Sequence, residues 1–81
     1  MTIQDLQKLL PSDVTVKPIN PTEDEIIYHL WFVGIDTGDF DINSKGDITA
    51  VNIKKQYKSE IENNVKVNKV LKENNLTIQY V

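Results

Sequence analysis

The side chains able to do chemistry crowd into one stretch of this sequence, from Glu23 to Asp47. It holds the consecutive acids Glu23, Asp24 and Glu25, the single histidine His29, the aromatics Tyr28, Trp31 and Phe32, and then Asp36, Asp39, Asp41 and Asp47 interleaved with Gly34, Gly38 and Gly46. Paired carboxylates can share a proton and activate water, and clustered oxygens can hold a hard cation. A histidine can serve as a general base when a nucleophile lies beside it. Ser12, Ser44 and Ser59 fall in turns or on a helix flank, with no strained elbow to present a hydroxyl. With one histidine and no cysteine, a multi-histidine metal site, a zinc ribbon, an iron–sulfur site and a thiol nucleophile are excluded. His29 therefore reads as a partly buried, hydrogen-bonded residue or a surface contact.

Three local strings resemble known functional loops. Phe32, Val33, Gly34 and Ile35 followed by Asp36, Thr37 and Gly38 resemble the catalytic loop of retroviral-type aspartic proteases. That resemblance implies a dimer in which Asp36 meets its twin across the axis. Asp39 stands where a small residue usually follows, a glycine-rich flap is lacking, and a helix-rich second half does not suit an all-β fold. The alternative is an Asx-type turn joining two strands. The same string is similar to the GID-x-G phosphate loop of actin-like ATPases and kinases, folds that need far more chain than 81 residues. Asp41, Asn43, Gly46, Asp47 and Ile48 resemble an EF-hand or dockerin-type calcium loop running from Asp41 to Asn52. There Lys45 replaces an oxygen ligand and Asn52 replaces the closing bidentate carboxylate, so a hairpin turn is the better account. The expectation is a protein that is not an enzyme and uses no metal or cofactor.

Composition narrows the partners. A chain with 40% hydrophobic and 26% charged residues fits one soluble domain spanning residues 1–81, short enough that oligomerisation or a partner could supplement its core. All nine bases are lysine, against twelve acids. Without arginine's planar fork, direct sequence-specific reading of nucleic acid is not expected. Residues 1–47 carry three lysines and nine acids, net −6, whereas residues 48–81 carry six lysines and three acids, net +3. Acids gathered in turns and lysines on a helix face would produce this asymmetry, and so would an acidic surface kept for a basic partner. No apolar run is long enough to span a membrane or resemble a secretory leader, so the expected location is the cytoplasm.

The elements that must position these residues follow from periodicity. Thr2 caps a helix with Ile3, Leu6, Leu9 and Leu10 on one side, ended by Pro11. Val14 and Val16 alternate as a strand that Pro18 confines to a sheet edge. In the segment from Glu25 to Val33, His29 and Trp31 share one face while Tyr28 and Phe32 share the other, the pattern of a central strand. Phe40 and Ile42, a turn with Gly46 in the left-handed region, and Ile48 and Ala50 form a hairpin. Asn52 caps a second helix carrying Ile53, Tyr57, Ile61 and Val65, with a conflict at Val65–Val67 where β-branching favours a break. Leu76, Ile78 and Tyr80 alternate as a last strand.

The reading is an α+β domain with a small, mainly antiparallel sheet of four to five strands and two helices packed on one face. The face left open would present His29 and Trp31 with Thr15 or Lys17 and with Asp39 or Asp41. An aromatic anchor with a charged rim is the composition of interaction surfaces. The functional expectation is a small acidic protein-binding module, a regulator or inhibitor engaging a larger, basic, nucleic-acid-binding partner. Its acidic patch would be Glu23, Asp24, Glu25, Asp36, Asp39 and Asp41, and its aromatic contacts His29 and Trp31. In style the arginine-free, lysine- and asparagine-rich chain resembles accessory proteins of low-GC bacteria and their phages. The alternative is a homo-oligomer completing its core through a sheet edge or the aromatic face.

Overall fold

A capping box starts the fold. The computed structural model describes residues 1–19 and 26–81, and in it the Thr2 hydroxyl accepts from the Asp5 N–H while Asp5 returns the bond to the Thr2 N–H, both at 3.2 Å. These bonds hold the Asp5 carboxyl below its ordinary pKa, the Thr2 backbone N–H contributing most. Helix α1 (Ile3–Leu9) follows, turning Ile3 and Leu6 into the core.

Strands β1 (Val14–Pro18), β2 (Tyr28–Phe32), β3 (Ile35–Ile42) and β4 (Ile48–Ile53) then form an antiparallel meander. Val33 and Gly34, both with positive φ, make the two-residue turn between β2 and β3. The β3–β4 turn is built on Asn43, whose side-chain oxygen accepts from the N–H groups of Lys45 and Asp47 at 3.0 Å, with Gly46 at φ 87 as its spacing implied. After a 3₁₀ turn at Lys55–Tyr57 come α2 (Lys58–Asn63) and α3 (Val65–Glu73), and then β5 (Thr77–Tyr80), which runs parallel to β4. The sheet is five-stranded in the order β1-β2-β3-β4-β5.

The α+β class and the small, mostly antiparallel sheet are as the sequence implied. The number of helices differs: the described residues form three α-helices instead of two. The second predicted helix begins late and is divided. Asn52 is a strand residue of β4 and not a cap, and Ile53 ends that strand fully buried. Asn64 makes the division. Its N–H closes α2 on the carbonyls of Glu60 and Ile61, and its side-chain oxygen accepts from the Val67 N–H at 3.1 Å to open α3. The helical spacing that pointed to Val65 fails there, because the break leaves Val65 75% exposed while Val67 and Leu71 take the core positions. Asn64→Ala should cost about 1 kcal/mol, the usual worth of a side-chain cap, and lower helical circular dichroism without changing the sheet signature.

One core cluster joins the three helices to the sheet: Ile3 and Leu6, Val14, Leu30, Phe40, Val51 and Ile53, and Ile61, Val67 and Leu71. Tyr28, Phe32, Ile78 and Tyr80 pack against its margin. All three helices therefore cover the same face.

Candidate functional site

Among the described residues the opposite face of the sheet carries no helix, and its residues follow from strand alternation. Pairing register aligns Lys17 on β1, His29 on β2, Asp39 on β3, Asn52 on β4 and Gln79 on β5 in one row across the whole sheet. Beside it, Thr15 pairs with Trp31 and Trp31 with Asp36, and Asp41 pairs with Ala50 and Ala50 with Thr77. The face is thus polar, with one large aromatic near its β1 side.

A β-bulge brings the third aspartate onto this face. Simple alternation would put Asp36 and Asp39, three residues apart, on opposite sides of β3. The register instead runs from Leu30 opposite Gly38 to Trp31 opposite Asp36, leaving Thr37 as an extra residue. The buried Thr37 hydroxyl donates to the Leu30 carbonyl at 2.9 Å, and the Thr37 carbonyl accepts from the Lys54 N–H at 3.0 Å. A second bulge uses the same device, with Thr49 as the extra residue and its hydroxyl donating to the Asp41 carbonyl at 3.2 Å. The Asp36-Thr37-Gly38 string is consequently a stretch of strand interior. It is not the loop or turn expected from its residue types, and it presents no carboxylate from a flexible tip.

Once on the open face, Asp36 lies against two basic side chains. Both its carboxylate oxygens lie 3.0 Å from His29 Nδ1, and the Lys54 ammonium sits 3.8 Å from one of them. Of the residues expected in the acidic patch, Asp36 thus has basic neighbours of its own chain. A hydroxyl that could receive activation from the His29–Asp36 pair is not provided by Thr37, which is buried and bonded to the backbone. The pair fixes the ring of His29.

Asp39 and Asp41 differ. Both accept from the same Asn52 side-chain nitrogen, each at 3.0 Å, so two carboxylates converge on one neutral donor. Among the described residues neither forms an ion pair. Next to them, beyond the β2–β3 pair of His29 and Asp39, lies a groove of about 560 Å³ lined by Ile26, Ile27, Asp39, Phe40, Asp41 and Ile42. Ile26 and Ile27 are exposed. On the far side of the face, the Lys17 ammonium lies 4.5 Å from the centre of the Trp31 ring, and Trp31 Nε1 donates to the Lys17 carbonyl at 3.3 Å. Trp31 is half-buried by this stacking and lies outside the core cluster.

The remaining expected site residues are placed as follows. Glu23, Asp24 and Glu25 lie outside the described residues. The positions of the calcium-like loop disperse: Asp41 is tied to Asn52, Asn43 to its own turn, and Asp47 to the Met1 ammonium at 3.2 Å. The hairpin account holds for this segment. The groove at Ile26 and Ile27 was not anticipated, although two consecutive isoleucines directly after three acids are visible in the sequence. No helix of the described residues is long and apolar enough to cross a membrane. No protein-family model, curated protein or solved structure matches this chain, so the meaning of the open face rests on its own residues.

Proposed function

We propose that the protein is a non-enzymatic binding module that docks a basic protein partner on the helix-free face of its sheet. The observation that carries this is the convergence of Asp39 and Asp41 on a single amide beside an apolar groove. Two like charges sharing one neutral donor leave negative potential that a cation would relieve. A lysine or arginine side chain suits both parts, laying its aliphatic stem along Ile26 and Ile27 and placing its charged head between the carboxylates. Trp31 with Lys17 provides a second, flatter contact across the same face. Clustered cationic side chains are what nucleic-acid-binding proteins present, so a regulator or inhibitor of such a protein is the class favoured. That role would set the module in the cytoplasm.

The test uses the purified protein as bait in a lysate, followed by titration of the captured partner. Asp39→Asn with Asp41→Asn keeps the shape and removes the charge. This pair should weaken binding at least tenfold, as expected for a desolvated charge pair, and Trp31→Ala should weaken it less. Affinity should also fall steeply as salt rises. A partner held equally well by the double variant, or indifferent to salt, would remove this reading.

A further inference from the structure

The two edges of the sheet are unequal. On β1, Val33 N–H donates to Asp13 O and Ile19 N–H donates to Ile27 O, so alternation turns the odd-numbered residues toward β2 and Val14, Val16 and Pro18 outward. None of those outward positions has a donor to offer. Val14 N–H is bonded to Pro11 O at 3.0 Å, Val16 N–H is bonded to Gln7 Oε1 at 2.7 Å, and proline has no N–H. Helix α1 thus closes this edge by lending Gln7.

On β5, Val81 N–H donates to Ile53 O and Val81 O accepts from Lys55 N–H, so Thr77, Gln79 and Val81 face β4. The N–H and C=O of Ile78 and Tyr80 therefore point away from the sheet, and among the described residues nothing bonds them. Edge strands are usually blunted by lysine, proline or a bulge. The stretch Thr77–Val81 contains no charge and no proline.

We propose that two copies of the chain pair antiparallel through β5 about a two-fold axis at Gln79, joining two five-stranded sheets into one of ten strands. The parity is self-complementary: Ile78 of one copy faces Tyr80 of the other, and each of these pairs exchanges two main-chain hydrogen bonds. Ile78 and Tyr80 lie on the helix-covered side, where an aliphatic β-branched side chain opposite an aromatic is a favoured cross-strand pair. Gln79 meets Gln79 on the open face, and no like charges oppose one another at the axis. The Lys58 ammonium lies 5.2 Å from the centre of the Tyr80 ring, and the two-fold axis places this contact at opposite ends of the interface, so a second copy finds its own pattern repeated without bringing like charges together. Four hydrogen bonds and two side-chain pairs make a small interface, so the dimer is reversible and concentration-dependent. Its two open faces become coplanar, which would let one dimer engage a repeated partner surface with raised avidity.

Sedimentation equilibrium of the full chain across concentration tests this, because Gln79 is exposed and can carry a charge without entering the core. Wild type should show a reversible monomer–dimer equilibrium. Gln79→Lys and Gln79→Glu should each raise the dissociation constant by about fivefold or more, since like charges then meet directly at a close pair. An equimolar mixture of the two variants should recover dimer. In wild type, amide exchange at Ile78 and Tyr80 should slow as dimer accumulates. A chain that stays monomeric at every concentration overturns the proposal. So does a dimer unmoved by either charge, or one in which the Ile78 and Tyr80 amides exchange as fast as in the monomer.

Discussion

Gly38→Ala should lower the urea midpoint of the domain more than any other single methyl addition to the sheet. A Cβ at this position would overlap the Asn52 carbonyl oxygen and lie 3.0 Å from Ile53 Cα. Both obstacles are backbone atoms of β4, a strand held on both sides, so no side-chain rotation relieves them. Gly38 is itself paired with Leu30 and with Ile53, at the edge of the bulge that turns Asp36 onto the open face. To admit the methyl group, β3 and β4 must separate at the middle of the sheet, losing ladder bonds that buried groups cannot replace with water. Overpacking costs of this kind are about 3 kcal/mol or more when backbone must move. A domain of 81 residues has roughly 4–12 kcal/mol in all. An alanine variant with the wild-type urea midpoint would show that the two strands are not this close.

Leu30→Ala should be the most damaging of the conservative truncations on β2. Leu30 is fully buried in the core cluster, between helices and sheet, and its removal should cost about 2–5 kcal/mol through lost transfer energy and the cavity left behind. For a domain of this size that corresponds to a fall in melting temperature of about 10–30 °C. Trp31→Ala is the internal control. Trp31 is the larger side chain and the next residue, but it rests under Lys17 on the open face, so its truncation should cost less. If the Trp31 variant melted below the Leu30 variant in a calorimetric scan, the assignment of faces would be reversed.

That assignment was only half legible in the sequence: alternation over Tyr28–Phe32 separates His29 and Trp31 from Tyr28 and Phe32, but both sides carry large residues, so Trp31 suited the core as well as the open face. The capped first helix, the edge position of the strand ending at Pro18, and the Gly46 turn were legible because each depends on residues within a few positions of one another. What was not legible depends on a distant partner. Ile53, Tyr57, Ile61 and Val65 repeat every four residues, yet Ile53 belongs to β4, Tyr57 to a 3₁₀ turn and Val65 to the surface. Only the pairing of β4 with β3 and β5 overrides that periodicity.

Asp36, Thr37 and Gly38 look like a turn because small and polar residues favour turns. They form a bulge because the two neighbouring strands, β2 through the Leu30 carbonyl and β4 through the Asn52 backbone, dictate it. The surroundings of Asp36 were hidden for a related reason. Asp36 shares a face with His29 only after the bulge shifts the register, and its carboxylate then lies against His29 and Lys54. Asp39 and Asp41 form no ion pair among the described residues, and they, the groove beside them and Trp31 carry the proposal.

The crossover from β4 to β5 sets an order of assembly. The first four strands are joined by connections that close small loops, so they can zip successively with little entropy lost at each step. β5 reaches its place beside β4 only after the chain has crossed back through α2 and α3, so its pairing closes a longer loop than those that join the first four strands. A strand still unpaired at that stage can insert into the vacant slot of a neighbouring molecule as readily as into its own. The crossover that completes the sheet is therefore also the route by which two chains could exchange their final strands, a swap that would leave every contact within each resulting lobe unchanged.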